Sequence, residues 1–345
     1  MAPKFSSPLT LTNGLIQKGY RLPERYNPDW IPSWFGKKYT DKNLHDTEPD
    51  GVFLRLPKLL NAVRVSDGKK VVLKKVSPKV DVPNLEFLNS PKLVADSRNN
   101  TVPLLHVIYL PDHESTALIA MPLLLHFNDF AAPFRFGLSS SHQNYIAHRD
   151  ACYYNLMMDP SKIVPGGFNY QYPLWQEDLQ RKAKYLDRKS ASPVEYYFID
   201  FETARILPPE TYGHDPQLLR IIGQDKTVPE WSKSVQAYNP FRLDIYQLGS
   251  VMRRVVEEYD GLDLFLPFCT SMMKENQYER LTAAEGCSKF HSMVSAMTAQ
   301  DMDSRVWPKT LSAKRWHLIA SKSKGLLKCL WVPVYEFFQD DDDWP

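Results

Sequence analysis

Apolar and polar residues alternate most clearly between positions 62 and 76, where two short runs of β-forming residues flank a turn. The runs are A-V-R-V and K-V-V-L-K-K-V, and Asp67 and Gly68 stand between them, a pair typical of a tight hairpin turn. Successive side chains of a strand point to opposite faces, so Val72 and Lys74 are expected to share one face. The pattern therefore predicts a β-hairpin that presents Lys74 beside an apolar residue.

Three further runs are rich in apolar and β-branched residues and predict strands: T-V-P-L-L-H-V-I-Y-L, A-L-I-A-M-P-L-L and V-E-Y-Y-F-I-D-F-E. A short helix is predicted between Pro83 and Pro91, before the first of these runs. The run Q-E-D-L-Q-R-K-A-K-Y-L-D-R-K predicts a surface helix, because its acids come early and its bases late, as the helix dipole favours. Residues 128–147 are interrupted by Pro133 and Gly137 and do not predict a long helix.

Composition narrows the class of protein. The chain has 345 residues, of which 43% are hydrophobic and 24% charged, so it can bury a substantial core. The net charge of +2 gives no indication of nucleic-acid binding, and no run approaches the roughly 18 apolar residues of a membrane span. The four cysteines show no C-x-x-C spacing, which argues against a zinc site or a disulfide framework. An intracellular protein, cytoplasmic or nuclear, is the expectation.

The strongest candidate for chemistry is the segment I-A-H-R-D-A-C-Y-Y-N-L-M-M, in which Asn155 follows Asp150 by five residues. In a phosphoryl-transfer loop of the form H-R-D-x-x-x-x-N, the Asp accepts the proton of the attacking hydroxyl and the Asn binds a magnesium ion that bridges the ATP phosphates. Its structural alternative is a buried His148-Arg149-Asp150 triplet engaged in ordinary hydrogen bonds. The segment resembles the catalytic loop of the eukaryotic protein kinase superfamily, which implies catalytic roles for Arg149 and Asp150 and a structural role for His148.

The same resemblance assigns residues of the predicted hairpin and the strands that follow it. It makes Lys74 the residue that contacts the ATP phosphates and places Val72 against the adenine. A Glu from the next helix should pair with this lysine, and Glu86 is the only Glu between positions 48 and 114. Met121 is expected to guard the adenine pocket, with Leu123 in the hinge that follows.

The run ending in I-D-F-E resembles the D-F-G segment of kinases. The resemblance implies that Asp200 binds Mg²⁺ together with Asn155, and that Phe201 packs beneath the helix bearing Glu86. Glu202 replaces the family's glycine, and small-molecule kinases of the choline-kinase and aminoglycoside type carry similar I-D-F-E or I-D-W-E segments. If position 202 required a positive φ, a residue with a side chain would be strained there by about 1 kcal/mol.

Three later motifs resemble those of the protein kinases in particular. V-P-E, N-P-F-R-L-D-I-Y-Q-L-G and E-R-L-T-A-A-E occur in the family's order. They imply that Asp244 accepts backbone amides of the catalytic loop and that Arg280 forms an ion pair with Glu230. The chain is most similar to divergent fungal kinase-like proteins, which combine H-R-D, an insertion after the loop and N-P-F-x-x-D-I-Y-x-L-G.

The resemblance implies an α+β, bilobal protein kinase-like fold. Its domain would span residues 51–308, between an N-terminal Pro/Trp-rich extension at 1–50 and a C-terminal tail at 309–345. Within it we expect a β-rich N-lobe at about 51–124, a mainly helical C-lobe at about 125–308 and an insertion at about 159–194.

Three functions stay open on the sequence. The first is transfer of phosphate from ATP, with Mg²⁺, to a Ser or Thr (less readily a Tyr) of a protein substrate. The second is a catalytically inactive kinase-fold module that binds partners. It is favoured by the absence of glycines from P-K-L-L-N, where kinases place a phosphate-binding loop, and by Cys152, where they usually have a lysine. The third is a small-molecule phosphotransferase, favoured by Glu202.

Overall fold

The structure of this protein is a computed structural model. It describes residues 14–27, 29–33, 35–36, 58–110, 114–127, 138–186, 191, 194–211, 214–232, 235–298 and 307–309. These residues form an α+β arrangement, in which an antiparallel sheet is followed along the chain by several helices and short paired strands.

A five-stranded antiparallel sheet forms the N-terminal part, in the order β1-β2-β3-β5-β4. Its strands are β1 (Tyr20–Arg21), β2 (Leu59–Arg64), β3 (Lys70–Val76), β4 (His106–Tyr109) and β5 (Ala117–Pro122). The predicted hairpin is present as β2 and β3, with Lys74 opposite Leu59. Gly68 closes the turn at φ +69°, a conformation that glycine adopts without strain.

The two faces of β3 differ as the alternation predicts. Val71 and Leu73 are buried in a cluster with residues of β1, β2 and β5. Val72 and Lys74 are on the opposite face, where they are half-buried, and Val72 is opposite Met121 of β5. This second face borders the candidate site.

The first strand changes the expected domain boundary. The sequence predicts that residues 1–50 lie outside the domain, but Tyr20 pairs with Arg64 of β2. Leu15 and Tyr20 are almost completely buried in the same cluster as Leu73. The sheet therefore includes part of the proposed extension, because β2 has a free edge and β1 covers it. The strands β1 and β2 are joined by residues 22–58, much of which lies outside the described residues.

Two short helices follow β3, namely α1 (Asp81–Leu88) and α2 (Pro91–Val94). Helix α1 buries Val82, Leu85 and Leu88 in the main core. It ends before Pro91, as the proline pair in the sequence predicts.

The remainder contains the helices α3 (Ser139–Gln143), α4 (Pro240–Glu258), α5 (Leu266–Met272) and α6 (Ala283–Ser295). Its short strands are β6 (Leu125–His126), β7 (Ile146–Ala147), β8 (Leu156–Met158), β9 (Tyr196–Phe198), β10 (Arg205–Ile206), β11 (Leu218–Leu219), β12 (Ala237–Tyr238), β13 (Tyr259–Asp260) and β14 (Trp307–Pro308). The longest described helix, α4, begins where Asn239 accepts the amides of Phe241 and Arg242 as an N-cap. Its buried face includes Leu248 and Met252 in the main core.

The surface helix predicted at residues 176–189 is wrong for the part that the structure describes. Residues 176–186 contain no helix, and an isolated bridge joins Trp175 to Lys182. The Asp178 carboxylate accepts the amide of Gln180, a local bond that competes with helical pairing. Leu179 adopts φ +55°, which reverses the chain.

Two other expectations fall partly or wholly outside the described residues. Of the stretch before the H-R-D segment, positions 128–137 are not described, and α3 is a helix of five residues. The tail is described only at its first position, Lys309. Among the described residues, none of the helices has the length and apolar character needed to cross a membrane.

Candidate functional site

The H-R-D segment is held in place by a carboxylate from α4. Asp244, completely buried, accepts the amide of His148 at 2.8 Å and the amide of Arg149 at 2.7 Å. Its Oδ2 is also 2.9 Å from Nε2 of His142 in α3. The structure thus brings together the aspartate and the loop amides that the sequence predicts to interact. Asp244 fixes the backbone immediately before Asp150.

Arg149 ties the loop to a neighbouring part of the fold, and its expected catalytic role stays a prediction. Its backbone is left-handed at φ +66°. The guanidinium is buried and donates to the Tyr238 hydroxyl at 3.0 Å and to the Leu219 carbonyl at 2.9 Å. Both partners belong to the small sheet β11–β12, so Arg149 ties the loop to that sheet. The unusual backbone angle turns the side chain away from Asp150.

His148 connects the loop to the segment that carries Asp200. Its Nε2 lies 3.0 Å from the carbonyl oxygen of Ile199, and its Nδ1 accepts the amide of Asp150 at 3.3 Å. A carbonyl can only accept and an amide can only donate, so these bonds require a neutral ring protonated on Nε2. The ring also packs 4.6 Å from the Phe201 ring, centroid to centroid. His148 is therefore a structural residue, as the resemblance implies.

Asp150 and Asn155 form a direct pair. The Asn155 side-chain amide donates to the Asp150 carbonyl at 2.9 Å and to its carboxylate at 3.1 Å. Both side chains are at least nine-tenths buried. The 3₁₀ turn Tyr153–Asn155 returns the amide to the aspartate five residues earlier. The spacing in the motif therefore places these two groups in one site.

A third residue, Gln224, completes this pair and was not predicted. Its backbone amide donates to Asp150 Oδ1 at 3.0 Å, and its side-chain Nε2 donates to Asp150 Oδ2 at 3.0 Å. The same Nε2 is 3.4 Å from Oδ1 of Asn155. Glutamine is common on protein surfaces, and nothing in its local sequence signals this contact. Only the path of residues 214–232 past the loop reveals it.

Gly223 leaves room for the carboxylate. A Cβ built at this position would lie 2.6 Å from Asp150 Oδ1 and 3.4 Å from Nε2 of Gln247. The Gln247 amide nitrogen is buried and has no hydrogen-bond partner among the described residues, while Oε1 of Gln247 accepts the amide of Ala151 at 2.9 Å. The backbone of Gly223 thus encloses Asp150 on this side, where a side chain would not fit.

We expect Gly223→Ala to displace Asp150 and to lower the free energy of unfolding by about 1 to 3 kcal/mol, the range for inserting a methyl group into packed structure. Urea unfolding measures this change. Gly166→Ala is the matched control, because a Cβ there would meet nothing within 4 Å and the backbone needs no positive φ. Equal stabilities of the two variants would contradict the close approach of Gly223 to Asp150.

Lys74 contacts two carboxylates from the I-D-F-E segment. Its Nζ is 2.7 Å from Asp200 Oδ1 and 3.0 Å from Glu202 Oε1. The lysine side chain is only 12% exposed, whereas about a third of each acid is exposed. Burial by itself lowers the pKa of Lys74, but Asp200 and Glu202 more than offset this effect, so the pKa is raised. The lysine carries a positive charge between two acids.

Glu86 does not contact Lys74, which corrects the pairing expected on α1. Its side chain is exposed, on the face of the helix opposite the buried Leu85 and Leu88. The carboxylate of α1 that borders the cavity near Lys74 is Asp81. Burial raises the pKa of Asp81, although its Oδ2 accepts the Ser77 amide at 2.7 Å. The resemblance specifies a glutamate, so it does not indicate this aspartate, which is five positions earlier than Glu86 on the helix.

The backbone strain considered for Glu202 is located at Asp200 instead. Asp200 adopts φ +63° and ψ 66°, and Phe201–Thr203 then form a 3₁₀ turn. Glu202 does not have a positive φ. Aspartate tolerates the left-handed region better than most residues, so glycine is not required at 202.

A small cavity separates the Lys74 face of the sheet from α1 and the Phe201 turn. It encloses about 240 Å³ of empty space, including its opening to solvent. Phe201 lines it together with Leu85 of α1, and Met121 forms part of its wall. Val72 and Leu123 are not among its lining residues.

The expected adenine position is partly used by the chain itself. The Leu123 amide donates to the Lys70 carbonyl at 3.3 Å, so it does not face outward as a free donor. The Lys70 ammonium, on the same face of β3 as Val72, contacts Glu177 at 2.6 Å and the Phe168 carbonyl at 3.3 Å. The insertion therefore covers the end of β3 next to Val72.

Glu230 and Arg280 form the buried ion pair that the sequence predicts. The guanidinium of Arg280 meets the carboxylate with two bonds, of 2.5 and 3.1 Å. The arginine side chain is 0% exposed and the glutamate 5%. Arg280 also donates to the carbonyl oxygens of Lys274 and Glu275. The pair joins the segment after Gln224 to the start of α6.

Cys152 supplies no positive charge to the site. Burial, together with the nearby Asp150 carboxylate, raises the pKa of its thiol to about 12. The thiol is therefore protonated near neutral pH and behaves as a small buried apolar group.

The donors available to a magnesium ion are Asp200 and Asn155. Carboxylate and amide oxygens are the hard ligands that Mg²⁺ prefers, and it commonly takes only one or two from the protein, with phosphates and water supplying the others. Among the described residues, no group of three or more His, Cys, Asp or Glu side chains is arranged to hold a metal. The two donors fit magnesium held jointly with phosphates, and they do not fit an all-protein cage.

Comparison with known proteins assigns no family. No protein-family model matches this chain, and no curated protein matches it.

Proposed function

We propose that this chain has a divergent bilobal protein kinase-like fold and transfers phosphate from ATP, with Mg²⁺, to a Ser or Thr hydroxyl of a protein. The observation that carries the proposal is the presence of two side-chain pairs, Lys74 with Asp200 and Asp150 with Asn155, on adjoining segments. They are joined by the pairing of β8 and β9, since the Ile199 amide donates to the Asn155 carbonyl at 3.0 Å. The four side chains come from three separate parts of the sequence.

Each side chain has a role that its chemistry supports. Asp150, an acceptor on both oxygens, would take the proton of the attacking hydroxyl. Lys74 would donate to phosphate oxygens once Asp200 turns toward the metal. Asn155 and Asp200 would hold magnesium, which when bound neutralises negative charge on the phosphates. Three of these groups are largely buried, so electrostatic interactions among them are stronger than in water.

ATP binding is expected to raise the melting temperature only when magnesium is present. A ligand at 100 times its Kd stabilises the folded protein by about 2.7 kcal/mol. The small cavity and the Lys70–Glu177 contact predict a weak Kd, so ATP is titrated into the millimolar range by thermal shift.

Lys74→Met is the matched variant, since it keeps the length of the side chain and removes the charge. We expect it to abolish the magnesium-dependent shift, while Lys92→Met, at an exposed position of α2, leaves it unchanged. The same shift in the parent and in Lys74→Met would contradict the assignment of Lys74 to the phosphates.

A second candidate function is a non-catalytic module with this fold. The observation that favours it is Gln224, which donates to both oxygens of Asp150 and leaves little acceptor capacity for a substrate hydroxyl. The absence of any shift with millimolar ATP and magnesium would select this candidate over the kinase. Gln224→Ala then distinguishes occlusion from inability to bind, because removal of the side chain uncovers Asp150 Oδ2.

A further inference from the structure

Glu202 occupies a position that the proposed reaction leaves without an assignment. Its Oε1 lies 3.0 Å from Lys74 Nζ and its Oε2 lies 3.5 Å from Lys58 Nζ. The Lys58 side chain is 63% exposed, whereas Lys74 is 12% exposed. Each oxygen of Glu202 therefore faces a different lysine, one at the opening and one inside.

The other acids near Lys74 are committed elsewhere or do not contact it. Magnesium bound at Asp200 would weaken the contact of Asp200 with Lys74, because the two cations would share one carboxylate. Asp81 accepts the Ser77 amide at the start of α1, and no bond joins it to Lys74 among the contacts of the described residues. Glu86 is exposed on the far face of α1. Among the described residues, Glu202 is the acid on this ammonium that metal binding would leave undivided.

We propose that Glu202 is a positioning residue that orients Lys74 toward the phosphates, in place of a glutamate from α1. The inference rests on the proposed function. The lysine has three donor hydrogens, so Glu202 holds one and leaves the others for phosphate once Asp200 turns away. The left-handed Asp200 and the following 3₁₀ turn aim both acids at Lys74. Glycine at position 202 would remove this contact.

The experiment compares Glu202→Gln, Glu202→Asp and Glu86→Gln in the full-length chain. Limited acetic anhydride modification at pH 8, quantified by peptide mass spectrometry, reports the free amine of Lys74, with the exposed Lys92 as internal reference. Glu202→Gln removes one of the two carboxylates that hold the Lys74 ammonium, so it should raise Lys74 acylation several-fold relative to Lys92. Glu202→Asp should restore part of the protection, and Glu86→Gln should match the parent.

The second readout is the Michaelis constant for MgATP. We expect Glu202→Gln to raise it several-fold, because Lys74 loses the contact that orients it, with partial recovery in Glu202→Asp and no change in Glu86→Gln. Urea unfolding midpoints close to that of the parent show that the variants are folded. A merely structural role of Glu202 would lower the midpoint and leave the parent-like Michaelis constant intact.

The outcomes separate this inference from the proposed function. Unchanged acylation of Lys74 in Glu202→Gln overturns the inference whether or not the protein transfers phosphate. An effect of Glu86→Gln in place of Glu202→Gln overturns it as well. A parent chain that neither binds MgATP nor transfers phosphate overturns the proposed function. Raised acylation of Lys74 in Glu202→Gln would, in that case, still support Glu202 as the residue that orients Lys74.

Discussion

Asp150→Asn is expected to lower the rate of phosphoryl transfer to protein by about 10²- to 10⁴-fold, the usual contribution of a general base. Asparagine has the same shape but cannot take a proton from a hydroxyl. Its NH₂ group would also face the donors of Asn155 and Gln224, which both point at the carboxylate. The measurement is transfer of labelled γ-phosphate to protein substrates and, in parallel, to small alcohols and amines.

The matched control is Asp159→Asn, the same change at a partly exposed turn where the carboxylate accepts the Ser161 amide. It should retain the parent rate. Equal rates in the parent and Asp150→Asn would remove Asp150 from the mechanism, and transfer to small alcohols alone would favour a small-molecule phosphotransferase. If the parent transfers no phosphate to any acceptor, the kinase assignment fails and the non-catalytic candidate stands.

Arg280→Gln is expected to lower the free energy of unfolding by about 3 to 5 kcal/mol, because it leaves the buried Glu230 carboxylate without its counter-charge. The variant also loses bonds to the carbonyl oxygens of Lys274 and Glu275, and the packing of the guanidinium 4.7 Å from the centroid of the Tyr246 ring. Urea unfolding followed by circular dichroism gives the difference directly.

Arg253→Gln is the matched control on α4. Arg253 pairs with Glu257 one turn later at 2.7 Å, but both side chains are more than half exposed. Exposed pairs contribute about 1 kcal/mol or less, so this variant should be close to the parent. A cost below about 1 kcal/mol for Arg280→Gln would mean that Glu230 is not held as a buried charge.

Local patterns identified much of the structure correctly. The alternation in K-V-V-L-K-K-V placed Val72 and Lys74 on one face of a strand, because a strand alternates whatever surrounds it. The five-residue spacing of Asp150 and Asn155 is spanned by a single turn, so their contact is also a local property. Asp244 and Arg280 stand at fixed places in short motifs. Asp244 accepts backbone amides and Arg280 neutralises a buried acid, so each role requires a particular type of residue.

One error is local, whereas the others concern which distant groups share a space. The helix expected at residues 176–189 had suitable charges, but Asp178 bonds to its own turn instead. The resemblance indicated Glu86 because it specifies a glutamate. The orientation of α1, however, turns Asp81 inward and Glu86 outward. Residues 1–50 show no periodicity, yet Tyr20 belongs to the sheet because strand β2 offers it hydrogen bonds that only the assembled sheet displays.

The sequence by itself determined the β2–β3 hairpin, its turn at Asp67 and Gly68, and the contact of Asp150 with Asn155, since each follows from local propensity or from a short motif. Only the tertiary structure decided that Glu202 contacts Lys74 and that Gln224 covers Asp150. Glu202 follows Lys74 by 128 positions (202 − 74), and Gln224 follows Asp150 by 74 positions (224 − 150). Hydrogen bonds and ion pairs act over a few ångströms, so partners so far apart in the chain are chosen by the packing of the whole protein and leave no local pattern.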